Sequence, residues 1–282
     1  MNQSKLAIVL SGGGARGALQ VGALRALVEQ GIQPQLLVGT SVGAINAVYL
    51  GLHGWSLPAV AQLQEVWQRA ATAELLPANY LWLTMRSLLR INRAEGETRL
   101  RTFAASTGIT AETRFGDMQG ITVLVVATDL NSGGLVTYGH DPQTRVMDAV
   151  IGSAAVPPWV APVQHDERIL VDGGFVSNLP IQAAVVSGAS EIIALDLHDA
   201  RPLNQASGSI ANFLVKLLVI NQHRLTELEL ALAAAKGIPV HHVSLIPTRT
   251  VAFWDFARTP ALIETGYRIM LSAMASRSPV AD

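Results

Sequence analysis

Short apolar runs alternate along the chain with longer stretches in which apolar residues recur every three or four positions. Several of the short runs are nearly continuous in valine, isoleucine and leucine, which is typical of strands covered on both faces. The longer stretches predict helices. This alternation predicts an α/β fold in which helices flank a mostly parallel central sheet. The predicted strands are residues 5–10, 36–38, 121–127, 135–138, 169–171, 191–196 and 240–245.

Glycine and proline positions mark the ends of the long helices that we predict. Gly31 follows the first helix as a left-handed cap. Gly237, with Pro239 two positions further on, ends the second. The predicted helices are residues 15–30, 209–236 and 260–276.

Residues 52–108 have a different character, since they read as helical throughout and contain three of the five tryptophans. They lie between the second predicted strand and the strand at residue 121. We interpret them as a helical cap insertion over the edge of the sheet. The chain then forms a single domain over residues 1–282, with this insertion at about 52–108.

The composition narrows the range of functions. Half of the 282 residues are hydrophobic and 15% are charged, so a large core is expected and disorder is not. The formal net charge of -1 leaves no basic excess for phosphates, which argues against a nucleic-acid partner. The absence of cysteine excludes disulfides and thiolate catalysis. No signal peptide or apolar run of about 18 residues is visible, so we expect a cytoplasmic protein.

A glycine-rich loop, Gly12-Gly13-Gly14-Ala15-Arg16-Gly17, follows the first predicted strand and begins a helix. Such a loop lets backbone N–H groups converge on an anion, and the helix dipole adds to the attraction. Three ligands fit this description. They are the pyrophosphate of a dinucleotide, the phosphates of a nucleotide, and the oxyanion of an acyl-transfer reaction.

The first two ligands require further residues. A dinucleotide site needs an acidic residue about 20 positions after the loop, but there is no Asp or Glu between Glu29 and Glu65. A Walker-type loop needs Lys and then Ser or Thr after its last glycine, where Ala18 and Leu19 stand. An oxyanion hole is therefore favoured, and a nucleotide-dependent oxidoreductase remains the alternative.

The pentapeptide Gly39-Thr40-Ser41-Val42-Gly43 matches the G-x-S-x-G pattern of a nucleophile elbow. It follows a short apolar strand and precedes a helical stretch, as such an elbow requires. Small flanking residues allow the sharp turn that raises the serine oxygen above the sheet. Ser41 is therefore the candidate nucleophile, with Gly39 and Gly43 supporting the turn.

Two residues compete as the base for Ser41. His198 follows a predicted strand end, and its place after an acidic residue suits the chain order of a Ser–Asp–His triad. Asp172 also ends a predicted strand and is followed by Gly173-Gly174, which would leave its carboxylate accessible. The residues alone leave this choice open.

With these motifs assembled, the chain resembles the patatin-like phospholipase family. The resemblance extends from Leu6 to Pro180, and no family motif is evident after about residue 201. Its features are the glycine loop 12–17, the elbow 39–43, the strand end 127–130, the serine–alanine–proline block 153–158 with Pro162, and Asp172-Gly173-Gly174 with Asn178 and Pro180. The family usually has a different residue before the first glycine, where Ser11 stands here.

The resemblance implies a three-layer α/β sandwich and a Ser41–Asp172 dyad without a catalytic histidine. It assigns the oxyanion hole to Gly12, Gly13 and Gly14. It implies lipid esters as substrates and no cofactor, and no metal-ligand spacing is visible in the sequence. Arg16 is interpreted as an organiser of the loop or as a phosphate contact. A non-catalytic lipid-binding protein with the same fold remains a further alternative.

A mixed apolar and basic segment predicts contact with a membrane surface. It contains Tyr80-Leu81-Trp82-Leu83, and residues 86–101 carry five Arg against two Glu. Such a composition suits an interfacial helix on anionic lipid. A cap helix packed on the core is the alternative interpretation.

Overall fold

A computed structural model describes residues 4–70, 94–157, 160–198, 210–252 and 255–276. Within these residues the chain forms one eight-stranded sheet. The strands are β1 (Leu6–Leu10), β2 (Leu36–Thr40), β3 (Thr122–Asp129), β4 (Leu135–Tyr138), β5 (Val163–His165), β6 (Arg168–Asp172), β7 (Glu191–Asp196) and β8 (Val240–Ser244).

Five of these strands are parallel neighbours, in the spatial order β8-β7-β1-β2-β3. The other three strands join the sheet through antiparallel pairs: β4 and β6 each pair with β3, and β5 pairs with β6. The mostly parallel sheet is therefore confirmed. The seven predicted strands all form, and β5 is an additional short strand that no sequence pattern predicted.

Helices cover both faces of the sheet and make it the middle layer of three. Within the described residues they are α1 (Gly17–Glu29), α2 (Val42–His53), α3 (Leu57–Ala70), α4 (Ala94–Ser106), α5 (Val146–Ser153), α6 (Ile181–Val186), α7 (Ile210–Ala235) and α8 (Thr259–Ala275). None of these helices is both long enough and apolar enough to span a bilayer.

Alternate residues of each strand enter two separate cores, as the pleat requires. Ile8 and Leu10 face the larger core, which contains the buried residues of α1, α2, α3 and α5. Ala7 and Val9 face the smaller core, which is closed by α6 and by Ala233 of α7. The three-layer α/β sandwich is thus confirmed.

The start of the predicted insertion packs into the larger core. Trp67 of α3 is fully buried, and its indole N–H donates to Oδ1 of Asn46 at 2.9 Å. Asn46 in turn donates to Oε1 of Gln20 at 3.0 Å, so a buried polar chain links α3, α2 and α1. Residues 71–93 lie outside the described part. The insertion boundary of about 52–108 and the single domain over 1–282 stay predictions.

Candidate active site

The end of β2 and the end of β6 meet along one side of β3. Thr40, the last residue of β2, pairs with Val126 of β3, and Asp172, the last residue of β6, pairs with Ala127. Because β4 occupies the opposite side of β3 at Ala127, β6 must share the β2 side. The chain turns into α2 at Ser41 and so does not continue along β3. Asp172 therefore occupies the next position along β3 after Thr40.

The two chain segments leave the sheet in opposite directions after this meeting. β2 continues into α2, which packs in the larger core, whereas β6 continues towards α6 in the smaller core. A Cβ atom on Gly173 would lie 2.4 Å from the carbonyl oxygen of Val126 and 2.9 Å from Cγ2 of Thr40. Glycine after Asp172 is thus what lets the two segments approach end to end.

Ser41 occupies a strained backbone conformation between β2 and α2. Its φ of 55° and ψ of -123° are rarely adopted by a residue with a side chain, and such strain costs about 1–3 kcal/mol. A Cβ on Gly39 would lie 2.4 Å from the carbonyl of Gly43, and one on Gly43 would lie 2.3 Å from the carbonyl of Leu10. The two glycines predicted to support the elbow are therefore required by the close packing of main chain against main chain.

The glycine loop lies directly beside the elbow. A Cβ on Gly12 would be 3.2 Å from Cβ of Ser41. The N–H of Gly12 donates to the carbonyl of Asn178 at 3.1 Å, so it is already engaged. Within the described part of the chain, the N–H groups of Gly13 and Gly14 find no acceptor. Both of these glycines are partly exposed, so their N–H groups remain available to a ligand.

Arg16 folds back over the same loop. Its backbone N–H and its side-chain Nε each approach the carbonyl oxygen of Gly13 at 3.3 Å. The loop-organising role predicted for Arg16 is consistent with these contacts. Asn178 adds a second connection, because its Nδ2 donates to the carbonyl of Gly12 at 3.4 Å.

Asp172 is 5% exposed, and its two carboxylate oxygens have different surroundings. Oδ1 accepts the N–H of Gly174 at 2.7 Å. Oδ2 makes no hydrogen bond of good geometry to any described residue. The hydroxyl of Ser41 is nevertheless close enough to affect this carboxyl. Burial raises the pKa of Asp172 to about 6, and the nearby Ser41 hydroxyl and the hydrogen bond from Gly174 partly oppose that rise.

His198 makes contacts of another kind. Its ring stacks on His223 of α7, with centroids 5.1 Å apart, and its backbone N–H donates to Oδ1 of Asp196 at 2.9 Å. The acidic partner that a triad histidine would need is itself engaged elsewhere, since Oδ2 of Asp196 pairs with Nε2 of His242 at 3.0 Å. His198 thus contacts His223 and Asp196, whereas the Ser41 hydroxyl influences the carboxyl of Asp172.

A buried glutamate supports the segment that follows Asp172. Glu229 of α7 accepts the hydroxyl of Ser177 through Oε1 and the N–H of Gln182 through Oε2, the latter at 2.8 Å. The dominant effect of burial raises the pKa of Glu229 to about 7, against the opposing effect of these hydrogen bonds. No sequence pattern indicated this residue, because it lies within the apolar pattern of a long helix.

Two expectations from the sequence, on membrane contact and on metal binding, concern features outside the site around Ser41. Most of the proposed membrane segment, including Tyr80-Leu81-Trp82-Leu83 and Arg86, lies outside the described residues. No group of three or more His, Asp or Glu side chains suited to a metal ion occurs in the part that the structure describes.

Comparison with solved structures gives the class of fold. VipD from Legionella pneumophila superposes with a TM-score of 0.51 at 13% identity, covering 97% of this chain and 67% of that one. At this identity the likeness shows a shared three-layer α/β architecture. The class of protein is therefore an α/β sandwich with a mostly parallel sheet.

Comparison of sequences gives the family. Residues 8–185 match the family described as Patatin-like phospholipase, and the chain belongs to this family. Patatin-like phospholipase domain-containing protein 7 of Mus musculus is 29% identical over 197 residues, 68% of this chain and 13% of that protein. Patatin-like phospholipase domain-containing protein 6 of Homo sapiens is 30% identical over 194 residues, which cover 68% of this chain and 13% of that protein. The chain thus spans about an eighth of these relatives.

Proposed function

We propose that the protein is a serine lipid acyl hydrolase that cleaves carboxylic ester bonds of lipids. Ser41 acts as nucleophile, Asp172 as its base, and the N–H groups of Gly13 and Gly14 as the oxyanion hole. Membership of the patatin-like phospholipase family supports lipid esters as the substrate class. The cytoplasmic location and the peripheral membrane contact expected from the sequence belong to the same proposal.

One observation is the main support for this proposal. The strained serine and the buried aspartate are the end residues of two segments that meet beside the same strand. Oδ2 of Asp172 is unpartnered, and we assign it as the acceptor of the Ser41 proton. A carboxylate whose pKa is raised to about 6 is a stronger base than an ordinary aspartate, yet is still mostly ionised at neutral pH.

In the proposed reaction, an acyl-serine first forms and is then hydrolysed. Oδ2 of Asp172 takes the hydroxyl proton as Oγ of Ser41 attacks the ester carbonyl carbon. The negative oxygen of the tetrahedral intermediate accepts N–H groups from Gly13 and Gly14. Collapse breaks the bond to the alcohol, which leaves with the proton from Asp172. Water then attacks the acyl-serine by the same sequence of proton transfers and releases the fatty acid.

The oxyanion donors supply a large share of the rate. Removing one donor of this type costs about 3 kcal/mol of transition-state stabilisation. The α2 helix begins immediately after Ser41, so the positive end of its dipole also favours negative charge at the reacting centre. Gly12 has a different role in this scheme, because its small size lets the loop approach Ser41 while its N–H bonds Asn178.

The test combines turnover with covalent labelling. We expect the purified protein to hydrolyse p-nitrophenyl esters of graded acyl length and then defined phospholipids. A fluorophosphonate probe should label the wild type and not Ser41→Ala. Equal labelling of both proteins would remove Ser41 as nucleophile. Lipid binding without turnover of any ester would favour the non-catalytic lipid-binding alternative.

A matched pair of variants tests the base. We expect Asp172→Asn to abolish ester hydrolysis and His198→Ala to retain it, since Asp172 is the carboxyl that the Ser41 hydroxyl influences. Thermal unfolding checks that both variants are folded. The opposite pattern of activities would restore the histidine triad.

A further inference from the structure

The backbone N–H of Ser41 has an acceptor that comes from neither β2 nor its neighbouring strands. It donates to Oγ of Ser153, the last residue of α5, at 2.8 Å. The hydroxyl of Ser153 in turn donates to the carbonyl oxygen of Val126 at 2.6 Å. One oxygen atom therefore connects the strained elbow with β3, at the point where the regular pairing of β2 with β3 ends.

The same segment also holds the chain at Asp172. The N–H of Asp172 donates to the carbonyl oxygen of Ala155, two residues after Ser153, at 2.9 Å. The short stretch from Ser153 to Ala155 thus accepts one backbone N–H from Ser41 and one from Asp172. Ser153 is fully buried, so water does not replace its hydrogen bonds.

We propose that Ser153 is a positioning residue which, through its bonds to the Ser41 N–H and the Val126 carbonyl, fixes the elbow relative to Asp172. This inference rests on the proposed roles of Ser41 and Asp172. It adds a residue that touches neither the substrate nor the transferred proton. The elbow conformation is strained, and a strained conformation persists only where its surroundings hold it.

The chemistry of the side chain explains why a hydroxyl is suited to this position. It must accept one hydrogen bond and donate another from a single atom, which serine and threonine do and alanine does not. Without the hydroxyl, both the Ser41 N–H and the Val126 carbonyl lose their partner in a buried place. The elbow then relaxes, and Oγ of Ser41 moves away from the alignment that proton transfer requires. A displacement of about 1 Å at a reacting group can lower the rate about 100-fold.

The central experiment compares Ser153→Ala with the wild type in kcat, KM and the second-order rate of inactivation by a small fluorophosphonate. We expect kcat and the inactivation rate to fall together by about 10- to 100-fold, with KM changed by less than about threefold. Ser153→Thr keeps the hydroxyl and should recover most of the rate. The small probe reports the reactivity of Ser41 without dependence on lipid binding.

The matched control is Thr107→Val. Thr107 is also a buried hydroxyl, 1% exposed, that donates to a backbone carbonyl, that of Ala104 at 2.6 Å, at the end of a helix. Its loss should lower the thermal unfolding temperature while kcat per folded molecule is preserved. The contrast separates a positioning role from the general effect of removing a buried hydroxyl.

The outcomes distinguish this inference from the proposed function. Labelling of Ser41→Ala would remove the nucleophile assignment itself. If Ser41→Ala is unlabelled but folded Ser153→Ala reacts and turns over as the wild type does, the positioning role is wrong and the proposed function stands. Should Ser153→Ala fail to fold, Ser153→Cys takes its place, since the thiol keeps the volume but bonds weakly. A wild-type kcat in the cysteine variant would likewise overturn the inference.

Discussion

The hydroxyl of Thr40 donates to the backbone carbonyl of Ser177 at 2.8 Å, although the two residues are 137 positions apart in the chain. Thr40 directly precedes the elbow serine, and Ser177 lies in the turn after Asp172. Both are buried. This hydrogen bond is a second connection between the two halves of the candidate site, independent of the one through Ser153.

Thr40→Val tests that connection while keeping the shape of the side chain. The Ser177 carbonyl loses its donor in a buried place, so we expect the free energy of unfolding to fall by about 1–3 kcal/mol. We also expect kcat to fall by about tenfold, because the elbow and the aspartate segment are less firmly aligned. Chemical denaturation and ester hydrolysis measure the two effects. Thr40→Ser, which retains the hydroxyl, is the control, and equal stability of the valine variant and the wild type would contradict the prediction.

The pH dependence of ester hydrolysis follows from the state of Asp172. The base must be ionised to accept the Ser41 proton, and burial raises the pKa of Asp172 to about 6. We therefore expect kcat/KM to rise about tenfold per pH unit below pH 6 and to level off above it. An initial-rate profile on a soluble ester measures this directly. The profile of His198→Ala should have the same midpoint, and a midpoint that moves in that variant would point back to histidine.

The raised pKa of Glu229 should make the free energy of unfolding depend on pH. Burial raises the pKa of this glutamate to about 7 in the folded protein, against an ordinary value of 4.5. Its contribution to stability is therefore complete below about pH 4.5 and is lost as the pH rises through 7. Glu229→Gln removes this ionisation, so the variant should gain stability relative to the wild type between about pH 5 and pH 8, by a few kcal/mol at most.

Denaturation at several pH values measures the difference between the two proteins. Glu227→Gln on the same helix is the control. Glu227 is exposed, and its pKa is lowered by its hydrogen bond with Arg224, so the opposite direction is expected there. A stability difference for Glu229→Gln that does not vary with pH would refute the prediction.

Gly43→Ala tests the close packing beneath the elbow. The added Cβ would lie 2.3 Å from the carbonyl oxygen of Leu10, and that oxygen belongs to the main chain of β1 and cannot rotate away. We expect a loss of about 1–3 kcal/mol or more in the free energy of unfolding, together with loss of hydrolysis. Gly134→Ala is the control, because its nearest neighbour is the movable hydroxyl of Ser132 at 3.1 Å. Comparable unfolding temperatures for the two variants would show that the elbow tolerates the added methyl.

The parts of the site that could be predicted from the sequence are those with a local signal. Ser41 lies between two glycines at the end of an apolar run, and Asp172 ends another such run before two more glycines. Each pattern reflects a turn formed by adjacent residues. The alternation of apolar runs and helical stretches indicated the layered fold in the same way, since burial on both faces of a parallel sheet is visible in every strand.

The remaining features depend on contacts between distant segments. Ser153 was noted only as part of a family block, and its partner Ser41 is 112 positions away. The same holds for Glu229 and Ser177, which lie 52 positions apart. The antiparallel direction of β6 was not predicted either, because a short apolar run has the same pattern in both directions. Hydrogen-bond partners of this kind are set by register and packing, which leave no local trace.

The meeting of β2 and β6 along β3 has a consequence for how the chain tolerates changes in length. The position of Thr40, which directly precedes the serine, relative to the aspartate is set along a third strand, by the two consecutive residues Val126 and Ala127. Insertions in the loop between β4 and α5 leave that spacing intact, because loop closure depends only weakly on loop length. A slip of one residue between β6 and β3 would instead turn the carboxylate to the opposite face of the sheet. Changes of length are therefore tolerated in this loop but not within the paired strands that set the spacing.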